Sequence, residues 1–421
     1  MKILVIGNGF DLEHGLPTQY KDFLDFVKTI KNIFVNKWFD EDEKEYFFLI
    51  SRPNGLNNSL LKYFLEHNFL KNLQDNIHLR ELMEKSKDNV WIQYFLENIE
   101  YENKGWIDFE SEISHAIQCF DYMKNYCEYC KKYIKWPQEK EQEKCYKEEI
   151  VKKILVYTGL DIEPFELIGE NLKEIIDILK THLDNLIRCL EIYLEECVRK
   201  INIECLAADI KDIKFDKVLS FNYTNTYERI YGFNTNKIEY HYIHGKADIN
   251  SANEENNMVL GIDEYLGKKA KNKDLEFIAF KKYFQRIYKK TENTYKKWIE
   301  EIEENYKMIF TKEERYREAL YRQKSETYIN KYKDYINNLH SNKSEIYIFG
   351  HSLDITDKDI IKELIECPNT ETTIFYYDKG VYAQQIANLV KVIGQDELIK
   401  RVSGANPTII FKQQQKKIER N

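Results

Sequence analysis

Residues that break helices and shape loops are scarce in this chain: 421 positions hold six prolines and fifteen glycines. With Lys, Glu, Ile, Asn and Tyr abundant, that composition fits long helices joined by few elaborate loops. Part of the Lys/Ile/Asn/Tyr excess is attributable to compositional habit of the source genome. No apolar run approaches the roughly 18 residues that would span a bilayer, and no charged segment leads into an apolar one at the amino end. These absences predict a soluble, cytoplasmic protein without a membrane partner. Nor does any block of one charge sign stand out, and 63 Lys and Arg against 71 Asp and Glu leave a formal charge of −8. General electrostatic binding to nucleic acid is not expected of such a chain. Eight cysteines are scattered along it, and disulfides are not expected in that compartment. The pair Cys127 and Cys130 forms the single C-x-x-C, lies in a helical pattern and has no second pair to complete a zinc site. No metal is predicted.

What the chain does contain begins at its amino end. The apolar run Ile3 to Ile6 enters Gly7-Asn8-Gly9, and a helical pattern resumes near Tyr20 with Phe23, Leu24 and Val27. Strand, glycine turn and helix is a layout in which backbone N–H groups can meet a phosphate. The spacing Gly7, Gly9, Gly15 departs from the usual dinucleotide fingerprint, and a turn that merely packs the first helix on a sheet is the competing reading.

Periodicity then divides the chain, which is longer than one core usually serves. Further strands are expected at Lys217–Phe221, Ile238–Ile243, Met258–Gly261, Glu345–Phe349, Thr372–Tyr377 and Thr408–Phe411. Short apolar strands alternating with helices argue for an α/β, doubly wound, mainly parallel sheet. The predicted organisation is a discontinuous nucleotide-binding core (1–28, 212–268 and 343–421), a large, mostly helical insertion (29–211) and a second helical insertion (269–342). Such insertions could serve self-association or partner docking. The polar tail Lys412 to Asn421 is expected to fray.

Four predicted strands end in small or polar clusters: Gly7-Asn8-Gly9, Ser220-Phe221-Asn222-Tyr223-Thr224, His244-Gly245 and Gly350-His351-Ser352. Ligands of open parallel sheets sit outside the carboxyl ends of the strands, so these clusters are expected to share one crevice. His244 is the natural base there, with a strand-end histidine as the alternative. Asn222 can hold a ribose hydroxyl or a water, or simply form a turn. Ser352 and the Gly350 backbone suit ribose or phosphate, while Asp11 and Asp354 could accept hydroxyl hydrogens or cap helices.

These residues resemble a known family. Ile6 to Thr18, Trp106-Ile107-Asp108-Phe109-Glu110, Ser220 to Thr224, Ile243-His244-Gly245 and Phe349 to Asp354 look like the AbiH family of phage abortive-infection proteins. The resemblance implies antiphage defence, with a phage-derived trigger that the sequence does not name. A more distant resemblance is to sirtuin-type domains, carried by the glycine turn, Gly15-Leu16-Pro17, Asn222, His244-Gly245 and Gly350-His351-Ser352. It implies a sirtuin- or Rossmann-like fold and NAD lying across the crevice. Contacts would come from Gly7, Asn8, Gly9, Phe10, Asp11, Pro17, Thr18, Asn222, Tyr223, Gly245, Gly350, His351, Ser352 and Asp354. Asn222 would place the nicotinamide ribose or a water, His244 would deprotonate a ribose hydroxyl, and Gly15 to Pro17 would form a lid.

The chain lacks the zinc-binding cysteine pairs of sirtuin deacylases, with no cysteine between 205 and 367. Thr18-Gln19-Tyr20 replaces their Asp-Phe-Arg, and Tyr223-Thr224 replaces the Ile-Asp after the asparagine. Deacylation is therefore not expected, and NAD hydrolysis with nicotinamide release fits better. Two alternatives stay open: a non-catalytic nucleotide sensor, and a metal-dependent nuclease using Asp108 and Glu110. Residues at i and i+2 of a helix point to different sides, so a packing or helix-start role is preferred for that pair.

Overall fold

The computed structural model describes residues 1–36, 56–67, 69, 73, 75–97, 107–132, 141–232, 238–250, 256–267, 269–291, 293–322, 325–327, 329, 330, 333, 343–404 and 406–420. Trp106 and the predicted breaks at 52–55, 104–105 and 136–137 lie outside them. Two compact units divide the chain: Met1–His14 with Ile203–Ile243 and Glu292–Asn421, and Gly15–Asn202 with His244–Thr291.

The first unit is an α/β sheet. Its strands are β1 (Lys2–Ile6), β2 (Cys205–Leu206), β3 (Lys217–Ser220), β4 (Glu239–Tyr242), β5 (Ser344–Phe349), β6 (Thr370–Tyr376), β7 (Ile409–Gln413) and β8 (Ile418–Glu419). Six of them form one sheet in the order β4-β3-β1-β5-β6-β7, every neighbouring pair parallel. The chain winds outward from β1 in one direction and then in the other. That order is compatible with a Rossmann-like fold, whose switch point falls between the two central strands, here β1 and β5.

Both faces of the sheet are covered, which explains why the strands read as nearly unbroken apolar runs. Alternation sends Ile3 and Val5 to one face with Leu219, Ile346, Ile348 and Trp298, under the helices Thr294–Tyr321, Lys358–Glu366 and Lys379–Ile393. Leu4 and Ile6 go to the other face with Val218, Phe349, Phe375, Phe10 and Tyr227.

Two predicted features differ. The tail does not simply fray: β7 runs to Gln413, and Ile418–Glu419 pairs antiparallel with Cys205–Leu206. Asp209 anchors the intervening turn by accepting from the Gln415 N–H at 2.7 Å and pairing with Lys412 at 3.3 Å. A polar sequence hid this segment because its support comes from residues some 200 positions away. The first helix also starts earlier than the pattern near Tyr20, at Asn8–Glu13, directly after Gly7.

The second unit is mostly helical. Its long elements are Tyr20–Asn36, Phe109–Lys132, Glu141–Thr158 and Gly169–Glu196, around buried Trp91, Phe95, Phe109, Phe120 and Tyr193. Tyr20–Asn36 runs unbroken across residue 28 and packs here through Phe23 and Phe26 on Tyr193. Met258–Gly261, expected as a strand, is buried but not part of a sheet. The Gln285 amide takes the place of a neighbouring strand, accepting from the Leu260 N–H at 3.1 Å and donating to the Leu260 carbonyl at 3.0 Å. Lys289 donates to the Met258 carbonyl at 2.5 Å. Once side chains satisfy its backbone, an apolar segment can be buried without a ladder.

Candidate functional site

The registers set Ile6 beside Ser220 and Phe349, and Ser220 beside Tyr242. The carboxyl ends of β4, β3, β1 and β5 therefore stand in a row, and within this unit the predicted convergence of Gly7, Asn222 and Gly350 is real. How these residues meet differs from the expectation.

The two glycine turns lock into each other. The Gly7 N–H donates to the Phe349 carbonyl at 3.1 Å, the Gly9 N–H to the Gly350 carbonyl at 2.8 Å, and the Phe10 N–H to the Gly7 carbonyl at 2.9 Å. A Cβ on Gly7 would stand 2.8 Å from the Gly350 oxygen, and one on Gly9 would stand 2.8 Å from the Gly350 Cα. Gly350 is left-handed (φ +69°), and a Cβ there would meet the Phe10 nitrogen at 2.1 Å. The glycines are required by each other's backbone. Their N–H groups are already committed, so the predicted phosphate cradle at Gly7 and Gly9 is replaced by a turn-to-turn joint.

Beside the joint lies a polar cluster. Asp11, on the first helix, is 1 % exposed. Its Oδ2 accepts from Asn222 Nδ2 at 3.1 Å and from the Thr224 hydroxyl at 2.6 Å. Asn222 Nδ2 also donates to the Gly7 carbonyl at 3.0 Å. Two acceptors around that nitrogen fix the amide orientation, because a flipped Oδ1 would face only oxygens. Asp11 Oδ1 has no hydrogen-bond partner among the described residues. Burial pushes the Asp11 pKa up to about 6, while Thr224, Thr226, Arg229 and Asn222 pull against the shift. Sequence reasoning offered Asp11 as a hydroxyl acceptor, a helix cap or an NAD contact; its burial, the source of its chemistry, has no local signal.

The other predicted residues of this unit have mixed placements. Phe10 is fully buried against Phe349, Tyr227, Tyr231 and His14, so its side chain belongs to the core and not to a ligand wall. His351 is also internal: its Nδ1 accepts from the Leu353 N–H at 2.9 Å, and its Nε2 lies 3.5 Å from Asp357. Asp354 caps the short turn behind it, accepting from the Thr356 N–H at 3.1 Å. Asn8 and Ser352 are exposed, and Tyr223 is half-buried. The Ser352 loop is held from the helix Lys379–Ile393, where Gln385 donates to the His351 carbonyl at 3.1 Å and Asn388 to the Ser352 carbonyl at 3.0 Å.

Sequence reasoning gave His14 no separate role. Its Nδ1 donates to the Phe10 carbonyl at 2.7 Å, leaving Nε2 to accept from the Tyr231 hydroxyl at 2.8 Å; that hydroxyl accepts the Ala207 N–H, also at 2.8 Å. Burial lowers its pKa to about 4, so the ring is neutral and structural.

Pro17, Thr18, His244 and Gly245 belong to the second unit. The Pro17 carbonyl accepts from the buried Tyr193 hydroxyl at 2.7 Å, an anchor that does not suit a lid. The Thr18 N–H donates to the Leu16 carbonyl at 3.0 Å. His244 is buried, with Arg286 Nη2 at 3.5 Å from its Nδ1. Guanidinium has no acceptor, so this contact places the ring hydrogen on Nε2. Gly245 is left-handed (φ +76°), and a Cβ there would lie 2.1 Å from the Asn257 carbonyl oxygen. Asp108 starts the helix Phe109–Lys132, accepting from the Glu110 N–H and the Ser111 hydroxyl, and Glu110 pairs with buried Lys282 at 2.7 Å. The two carboxylates have separate partners rather than one shared centre.

The motifs of the glycine turn, the Ser220 to Thr224 turn and the His-Gly pair lie within the region matched by the bacteriophage abortive infection AbiH profile, residues 3–311. The chain belongs to the AbiH family. Its membership supports an antiphage abortive-infection role. No curated protein and no solved structure matches the chain. Among the described residues, no helix of this AbiH protein is long and apolar enough to cross a membrane.

Proposed function

We propose that this AbiH protein binds NAD or a related nucleotide at the carboxyl edge of its parallel sheet and hydrolyses it, releasing nicotinamide during phage defence. The observation that carries the reading is the row of strand ends β4-β3-β1-β5 with the buried Asp11–Asn222–Thr224 cluster beside the switch point. A buried carboxylate with a raised pKa at such an edge is a mark of functional sites more than of stability. In the reaction, water adds to the ribose anomeric carbon, nicotinamide leaves with the bonding electron pair, and the water gives up a proton. The transition state resembles an oxocarbenium ion, which a neighbouring ionised carboxylate favours electrostatically.

The test is nicotinamide release from NAD by the purified full-length protein, alone and with extract of infected cells. Asn222→Ala should abolish it. His244→Ala is tested separately, as the base suggested by the sirtuin resemblance. Intact NAD under every condition would sink the enzymatic reading. A non-catalytic nucleotide sensor is the second reading, favoured by the Arg286 contact at His244 Nδ1 and the purely conformational need for Gly245. A rise in melting temperature with NAD or ADP-ribose, without turnover, would select it.

A further inference from the structure

Counting donors and acceptors around Asp11 narrows what this cluster can bind. The side-chain donors of Ser220, Asn222, Thr224 and Thr226 are committed: both Asn222 Nδ2 hydrogens to Gly7 and Asp11, the Thr224 hydroxyl to Asp11, the Thr226 hydroxyl to Thr224 and the Ser220 hydroxyl to the Asn222 carbonyl; so are the Gly7, Gly9 and Phe10 N–H groups. What remains on the Asp11 and Asn222 side chains is acceptors. Asp11 Oδ1 is buried and unpartnered, and Asn222 Oδ1, on the side chain bonded to Asp11, accepts nothing among the described residues. A buried acceptor without a donor is costly, and a negative group would make it worse. Phosphate brings only acceptors and negative charge. A vicinal diol brings two O–H donors, enough for two such oxygens.

We propose that Asp11 and Asn222 form a diol-binding pair that takes the ribose hydroxyls of the ligand, with its phosphates held elsewhere. This rests on the nucleotide reading above and reverses the role expected for the glycine turn. Asp11 thereby sets the preference for ribose over deoxyribose, and its Oδ2 keeps Asn222 turned with Oδ1 outward.

The experiment titrates the full-length protein calorimetrically with ADP-ribose, adenosine and nicotinamide riboside, with the 2′-deoxy form of each, and with inorganic pyrophosphate. Wild type should bind at least one ribose ligand tenfold or more tighter than its 2′-deoxy form. Asp11→Asn should erase that preference while leaving pyrophosphate binding unchanged. Thr224→Val, which keeps the carboxylate, should retain the preference even where affinity falls, so a folding defect is separable from loss of the acceptor. The idea is overturned if wild type does not distinguish the two sugars or binds none of the ribose ligands. It is also overturned if Asp11→Asn keeps the preference, which would leave a buried water as the partner of Oδ1. Nicotinamide release is assayed in parallel: ribose preference without turnover would sink NAD cleavage and leave the diol site standing.

Discussion

The backbone N–H of Gly9 donates to the carbonyl oxygen of Gly350 at 2.8 Å, although 341 positions separate the two residues. Each glycine leaves room for the other's backbone, so the ends of β1 and β5 are joined where the sheet changes winding direction.

Gly350→Ala should therefore be among the most damaging single changes in the chain. It combines a left-handed backbone with a Cβ 2.1 Å from the Phe10 nitrogen, and a cost of about 3 kcal/mol or more is expected. Gly9→Ala should also destabilise, whereas Gly380→Ala, with only the Asp378 carboxylate near its Cβ at 3.2 Å, should be mild. Urea midpoints of the three variants check the order; equal midpoints would contradict the joint.

Asp11→Asn should stabilise the fold at neutral pH. The folded pKa of about 6 lies above the ordinary 3.8, so the native state holds this proton more tightly. That contribution is fully present below pH 3.8 and is lost as pH rises through 6. Above pH 6 the ionised, buried group costs about 3 kcal/mol relative to the unfolded chain. The variant should raise the thermal midpoint more at pH 8 than at pH 4.5; a gain independent of pH would refute the assignment.

His14 acts with the opposite sign. Its folded pKa of about 4 lies below the ordinary 6.5, so its contribution is present above pH 6.5 and is lost as pH falls toward 4. His14→Ala should lower the midpoint at pH 7.5 and flatten its decline between pH 6.5 and 4. An unchanged acid slope would show that other groups dominate that window.

Gln285→Ala should open the second unit locally. Without the amide, the Leu260 N–H and carbonyl lose their partners at a cost of roughly 2–3 kcal/mol, which hydrogen exchange at Leu260 would reveal as lost protection. Full retained protection would mean that another group satisfies this segment.

Glu110→Ala should cost about 3 kcal/mol by removing the carboxylate paired with buried Lys282, against about 1 kcal/mol for the cap lost in Asp108→Ala. Comparing the two thermal midpoints checks the difference. A nuclease centre would instead make both changes abolish metal-dependent cleavage of nucleic acid while sparing stability.

Much of the sheet was legible because burial on both faces writes itself into local composition. Ile3 to Ile6, Lys217 to Ser220 and Glu345 to Phe349 read as strands before any partner was known. Met258 to Gly261 carries the same apolar signature, yet Gln285 satisfies its backbone from a helix. Apolarity reports burial, and only the partner decides whether burial means a ladder. The β8 pairing was hidden for the converse reason, since exposed Ile418 and Glu419 carry no burial signal.

By itself the sequence determined the alternation of strands and helices, the glycines at the ends of β1 and β5, and the set of polar residues at the strand ends. These follow from side-chain period and backbone freedom, which are local. Tertiary structure alone decided that Gly7 and Gly9 spend their N–H groups on Phe349 and Gly350, that Phe10 is core, and that Asp11 is buried beside Asn222. Hydrogen-bond partners and desolvation depend on groups brought together by topology across hundreds of residues, and those relations turn a glycine turn from a phosphate cradle into the support of a carboxylate.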